Sequence, residues 1–269
     1  MLKDITLGQY FPGDSLVHRL DPRTKLICVV LYIVALFTAK GFIAYGLVFL
    51  MLATAVKVSG VGAKALLRGM RPVLFILIFT GILNLFYTTT GTVLVKVGFL
   101  QITTGGLSNA FFMVVRIMML ISGTFLMTYT TSPISLTDGL EMLLNPLKKL
   151  KVPVHDLAMM MSIALRFIPT LIEETDKIMS AQKARGADFE SGSVIDKAKA
   201  MVPLMVPLFV SAFRRADELA TAMECRCYHG GEGRTRLHQL HYQRCDWLVM
   251  GLFGVLVAAM FVLRRVAPF

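Results

Sequence analysis

Apolar residues come along this chain in long blocks, not at the intervals of a single water-soluble core. Five blocks stand out: Leu26–Ala39, Gly41–Val56, Pro72–Tyr87, Leu107–Thr130 and Trp247–Leu263. A helix needs roughly 20 apolar residues to cross a bilayer. The fourth block reaches that length alone, and the others need flanking residues or a thinned bilayer. Lys40-Gly41 divides the first two blocks. One unbroken helix over 26–56 would be about 46 Å long, so the pattern predicts a tight hairpin of two helices. The count of five leaves room for a sixth crossing.

Between the fourth and fifth blocks the pattern changes. Residues 131–246 mix apolar and charged positions and read as three helices. Ser132-Pro133 opens the first, with a capping hydroxyl and then proline at the first helical position. Leu136, Leu140, Leu143, Leu144 and Leu147 form its apolar stripe, and Pro153 ends it. The second helix starts near His155 and ends at Arg185-Gly186. Leu157, Met161, Ala164, Ile168, Leu171, Thr175, Ile178 and Gln182 recur along it at steps of three and four. The third follows Ser191-Gly192-Ser193 and runs from about Val194 to Tyr228. Each long helix is apolar at its start and charged toward its end, and each would span nearly 50 Å. Pro169 is expected to kink the second, and Pro203 and Pro207 the third. Basic, Gly-rich residues 231–246 read as a linker back to the last span.

Composition supports a membrane protein. Of 269 residues, 55% are hydrophobic, and the mean hydropathy is +0.66; soluble domains run near about 45–50% apolar. The net charge of +11 would suggest nucleic acid on a soluble protein. Here the bases flank the apolar blocks, so no nucleic-acid partner is implied. Segments 1–25, 57–71 and 131–246 hold 23 Lys and Arg, against one each, Lys40 and Lys96, in the loops of the opposite side. The positive-inside rule then puts the N-terminus and the long segment in the cytoplasm. Arg264 and Arg265 run against that rule. Residues 1–25 have no apolar core, so no cleavable signal peptide is expected. Cys28, Cys225, Cys227 and Cys245 are expected to be thiols.

Candidate chemistry is sparse. There is no Gly-x4-Gly-Lys-Ser/Thr phosphate loop, so this chain does not bind ATP in that way. No Ser or Cys nucleophile lies in a recognisable setting, so no catalytic residue is assigned. Cys225, Cys227 and His229, with His238, His241 and Cys245, match zinc spacing poorly, so no metal and no cofactor are expected on this chain. Glu173 and Glu174 read as a solvated face. Arg116 lies inside a span, where a charge is costly. With no acid in the other spans, a structural pair within the bundle or snorkelling is the better reading than an ion path. The Met-rich and Leu-rich stretches, with Met160, Met161, Met201, Leu204, Met205 and Leu208, suit an adaptable seat for another membrane protein. They suit self-packing or lipid contact equally. An Arg at a helix end is a fixed charged fork for a carboxylate, although basic residues at helix ends also simply oppose the helix dipole.

Several phrases resemble a known family. They are His18-Arg-Leu-Asp21-Pro22-Arg23-Thr-Lys25-Leu26, Thr131-Ser132-Pro133, Pro153-Val-His155, Ala164-Leu-Arg166-Phe-Ile-Pro169 and Ala181-Gln182-Lys-Ala184-Arg185-Gly186-Ala187. Over residues 15–230 they resemble the transmembrane T component of energy-coupling factor transporters and the related cobalt-transport permeases. The resemblance implies an all-α polytopic membrane protein of about five transmembrane helices. It adds a cytoplasmic coupling domain of about three helices, two of them long and proline-kinked. It implies a non-catalytic scaffold in a prokaryotic plasma membrane. Two ABC-type ATPases, which carry the ATP and Mg, would dock on two Ala-Arg-Gly ends, and a membrane-embedded S component would carry a vitamin or metal. The first end is Ala184, Arg185, Gly186. At the second, Cys225, Arg226, Cys227, the Arg is kept and its small neighbours are lost. Asp21, Arg23, Arg116, Arg166, Pro169, Pro203 and Pro207 are expected to be structural. The alternative reading is a conventional permease with its own substrate path.

Overall fold

A computed structural model describes residues 10–88, 91–97, 100–187, 189, 193–230 and 239–266. Of the positions discussed above, Ser191, Gly192, His238 and the first half of the linker lie outside them. The described residues fall into two units, 10–139 with 240–266, and 140–239.

The first unit is a helical bundle. A short turn, α1 (Leu16–Arg19), precedes α2 (Pro22–Thr38), α3 (Gly41–Ser59) and α4 (Ala63–Tyr87). The Lys40-Gly41 break separates α2 from α3, as the pattern predicted. Gly60 closes α3 in the left-handed region at φ 71°, a conformation that favours glycine. α4 begins well ahead of the apolar block at Pro72 and carries that proline inside it. An antiparallel hairpin, β1 (Val93–Val97) and β2 (Leu100–Thr103), then leads into α5 (Thr104–Thr130). The helical pattern gave no sign of this hairpin. Thr103 joins the two: its hydroxyl accepts the Gly106 N–H at 3.0 Å and donates to the Thr88 carbonyl at 2.8 Å. α6 (Pro133–Leu144) starts at the predicted Ser132-Pro133 signal, and α9 (Arg244–Val266) follows the second unit in sequence.

Tyr32, Leu36, Tyr45, Val48, Met119, Leu256 and Met260 form the buried core, drawn from α2, α3, α5 and α9. Gly123 lets α5 approach α2 closely, since a Cβ there would come within 2.5 Å of the Tyr32 ring. The Tyr32 hydroxyl donates to the Met119 carbonyl at 2.8 Å. Arg116 is held inside the same bundle. Its Nε–H donates to the Tyr45 hydroxyl at 2.7 Å, and its guanidinium lies 5.8 Å from the Phe37 ring, within cation–π range. Outward faces are apolar: Ile43 is 75% and Phe75 78% exposed. Such surfaces suit lipid and not water.

Among the described residues, five helices are long and apolar enough to cross a membrane: α3, α4, α5, α9 and α7 (Val154–Ala184). α2 has 17 residues, shorter than the roughly 20 a span needs. α7 joins the five through the apolar first half already noted.

The phrase Asp21-Pro22-Arg23-Thr24-Lys25 makes a buried polar knot at the start of α2. Asp21 caps the helix, accepting the Arg23 N–H at 2.8 Å. Its second oxygen takes the Arg23 Nη2 at 2.8 Å, and that nitrogen also donates to the Leu240 carbonyl at 2.9 Å. The Arg23 guanidinium lies 4.0 Å over the Tyr242 ring. Asp246, at the start of α9, is 1% exposed. It accepts the Asp21 N–H at 3.0 Å and the Gln243 N–H at 2.7 Å. Lys25 donates to the Thr130 carbonyl at 2.8 Å and the His18 carbonyl at 3.2 Å. Three helices separated widely in sequence are thus tied at one point.

Replacing Asp246 with Ala would leave the Asp21 and Gln243 N–H groups without their acceptor and remove a negative charge near Arg23 and Lys25. We expect a loss of about 3 kcal/mol. The thermal midpoint of the detergent-purified chain should fall clearly, and by less in Asp246→Asn, which keeps one acceptor.

Candidate functional site

In the second unit a 3-10 turn over Asn145–Leu150 follows α6, so the first of the three helices stops before Pro153. Then come α7 (Val154–Ala184) and α8 (Val194–Cys225). Ser193 and Asp196 form a capping box at the start of α8. The Ser193 hydrogen bonds hold the Asp196 carboxyl below its ordinary value. His155, at the start of α7, pairs with Glu141 at 2.9 Å. Both long helices run on through their prolines without a break. The carbonyls of Leu165, Lys199 and Pro203 lose their usual N–H partners there, since proline has none.

α7 and α8 run antiparallel. The Tyr228 hydroxyl, just past α8, reaches the Met159 sulfur near the start of α7 at 3.1 Å. Further along, Arg215 meets Glu174 at 2.9 Å, and Ser211 donates to the same carboxylate. Glu174 is therefore bound across the pair and is not part of a solvated face, whereas Glu173 is exposed. The antiparallel course puts the two Arg-bearing ends at opposite ends of the pair. From Met159 to Arg185 the helix rises roughly 40 Å.

The two ends share one backbone design. Gly186 N–H donates to the Lys183 carbonyl and Ala187 N–H to the Gln182 carbonyl, both at 3.0 Å. At the second end, Cys227 N–H donates to Glu224 at 2.9 Å and Tyr228 N–H to Met223 at 3.0 Å. Each set is a Schellman closure, offset by the same number of residues. Arg185 has φ −86° and ψ 5°, and Arg226 has φ −93° and ψ 14°. Gly186 takes φ 88° and Cys227 takes φ 56°. Cys227 thus fills the left-handed position that glycine fills at the first end. The loss of small neighbours in Cys225-Arg226-Cys227 does not alter the turn itself. Ala184, Arg185, Gly186, Cys225, Arg226 and Cys227 are all exposed.

The other expected site residues divide. Met160, Met161, Met201 and Met205 are exposed, as are Arg166, Pro169, Pro203 and Pro207. Leu204 is different: it is 7% exposed and packs within the chain, and Leu208 is half-buried. The two leucines share one face of α8 with Met201 and Met205, at steps of three, four and seven, but lie on its buried side, so they do not form the open part of a seat. All four cysteines are free. No group of three His, Cys, Asp or Glu side chains that could hold a metal occurs among the described residues. Sequence reasoning missed Ser211, Arg215, Tyr228 and Asp246. Their partners lie far away in sequence, and no local pattern marks them.

Residues 13–237 match the family described as cobalt transport protein, CbiQ. The energy-coupling factor transporter transmembrane protein EcfT of Ruminiclostridium cellulolyticum is 52% identical over 266 residues, covering 99% of each chain. EcfT of Bacillus subtilis is 51% identical over 264 residues, covering 98% of this chain and all of its own. EcfT of Acidaminococcus fermentans is 51% identical over 263 residues, with 98% and 96% covered. The chain belongs to the family of energy-coupling factor transporter transmembrane components. It is a multi-pass membrane protein of a transport system. The Ala-Arg-Gly and Cys-Arg-Cys ends are accordingly features of a transporter's membrane subunit.

Cys227 occupies a conformation that costs a side chain about 1–2 kcal/mol. Cys227→Gly should stabilise this helix end by about 1 kcal/mol, read as slower amide exchange at residues 223–228. Cys227→Val, with a β-branched side chain in the same place, should speed that exchange.

Proposed function

We propose that this chain is the coupling scaffold of an ATP-driven uptake transporter. Two cytosolic ABC-type ATPase subunits dock on the helix ends at Arg185 and Arg226. Their nucleotide-driven motion passes along α7 and α8 to a membrane-embedded substrate-binding S component, whose cargo is a vitamin or a metal ion. ATP and Mg stay on the ATPases, and this chain performs no chemistry. The distribution of Lys and Arg supports a cytoplasmic N-terminus and cytoplasmic long helices.

The observation that carries this reading is the pair of matching ends. Each presents an exposed, permanently charged Arg on the same rigid turn. Their separation of roughly 40 Å exceeds the reach of one small groove and fits one subunit at each end. Relatives named as energy-coupling factor transporter proteins support the assembly. The exposed methionines of both helices, with Val202, Val206, Phe209 and Phe213 of α8, offer an apolar face for the S component.

Charge reversal tests the docking. Arg185→Glu or Arg226→Glu should each weaken ATPase capture by about tenfold, because an exposed charge meeting like charge is repelled. The double variant should lose ATPase co-purification and uptake, with membrane insertion intact. Full ATPase retention in the double variant rejects the assignment. A vitamin or metal bound tightly by this chain alone would support a permease instead.

A further inference from the structure

We propose that Glu174, Ser211 and Arg215 form the pivot of the two coupling helices, with an apolar crevice beside them as the space into which the pair closes. This rests on the lever reading above and names the residues on which the lever turns.

Glu174 lies mid-way along α7, and both of its carboxylate oxygens are engaged by α8. One accepts the Ser211 hydroxyl and the other the Arg215 Nη2 at 2.9 Å. Ser211 and Arg215 stand one turn apart on α8, so they present one face. Ser211 is 6% exposed, whereas the Glu174 and Arg215 side chains keep 22% and 35% exposure. The contact is therefore wet enough to rotate and specific enough to hold register. Arg215 uses one prong only, since its Nε is buried without a hydrogen-bond partner. A one-pronged ion pair permits swivelling that a two-pronged fork would resist.

Next to this contact the helices do not fill the space between them. A crevice of about 310 Å³ opens between Phe167 and Leu171 of α7 and Ala212, Ala216, Leu219 and Ala220 of α8. The crevice is open to the surface, with Ala216 and Ala220 exposed. The alanines at 212, 216 and 220 leave room for the two backbones to draw together, as small residues do at helix crossings. A fixed polar contact beside an unfilled apolar slot is what a hinged pair needs: one point holds while the neighbouring faces approach and part.

The test uses the complete transporter in proteoliposomes, measuring uptake per ATP hydrolysed together with subunit co-purification. Glu174→Ala should leave the ATPases bound and reduce uptake per ATP by about fivefold, the factor that corresponds to one modest polar contact. The charge-swapped pair Glu174→Arg with Arg215→Glu should recover most of it. Ala216→Phe fills the crevice, which Arg215 also lines, while keeping all three pivot side chains, and should reduce uptake per ATP in the same way, again with the ATPases retained. A merely structural role would lower assembly and thermal midpoint and leave the uptake-to-ATP ratio unchanged, and that result overturns the proposal. Unchanged uptake per ATP in both Glu174→Ala and Ala216→Phe also overturns it. The lever reading fails separately, if the wild-type chain retains no ATPase or the Arg185 and Arg226 variants retain all of it.

Discussion

The bundle depends on satisfying a small set of polar groups where several helices meet. Asp246 is the centre of that set. It is buried, it opens α9, and it accepts the backbone N–H of Asp21 at the opening of α2. Backbone donors in apolar surroundings find no water, so each needs a partner from the protein. Asp21 then orients Arg23, and Lys25 closes on the Thr130 carbonyl at the end of α5. Two acids and two bases lie together, so the cluster carries little net charge while supplying directional bonds. The outward surfaces are apolar and would slide freely in lipid. The knot gives the bundle its register.

The second unit is built on the opposite plan. α7 and α8 meet along a seam that is partly open, and one carboxylate links them mid-way. Few buried contacts hold this pair, the setting in which local stability is lowest. Its ends are stiff by contrast. The Schellman closures at Arg185 and Arg226 fix the backbone to the last residue, so an applied force is not lost in fraying. Stiff ends and a loosely filled middle suit an element that transmits displacement.

Much was legible in the residues. The blocks of apolar residues gave the helices, and Lys40-Gly41 gave the α2–α3 break. Ser132-Pro133 marked α6, and Arg185-Gly186 marked the end of α7, because caps and breakers act through their immediate neighbours. The β-hairpin before α5 was not legible, since Val93–Val97 reads as a short apolar run that helix and strand share. Glu174 was misread as a surface charge because its partners stand 37 and 41 residues away. Leu204 carried the same local signal as Met205 yet points inward. The Cys225-Arg226-Cys227 end looked like a weakened copy. Only its φ values show that Cys227 takes the glycine conformation.

What the sequence by itself determined is local or additive: helix positions, their caps, the charge bias between the two sides, and the two Arg-bearing ends. These follow from periodicity, propensity and summed charge, which need no knowledge of distant neighbours. What only the tertiary structure decided is pairwise. It brought Asp246 to Asp21, gave Arg116 the Tyr45 hydroxyl, set α7 and α8 antiparallel so that their ends lie far apart, and tied Glu174 across the seam. Such partners are chosen by how helices pack, and packing depends on residues that the linear order keeps apart.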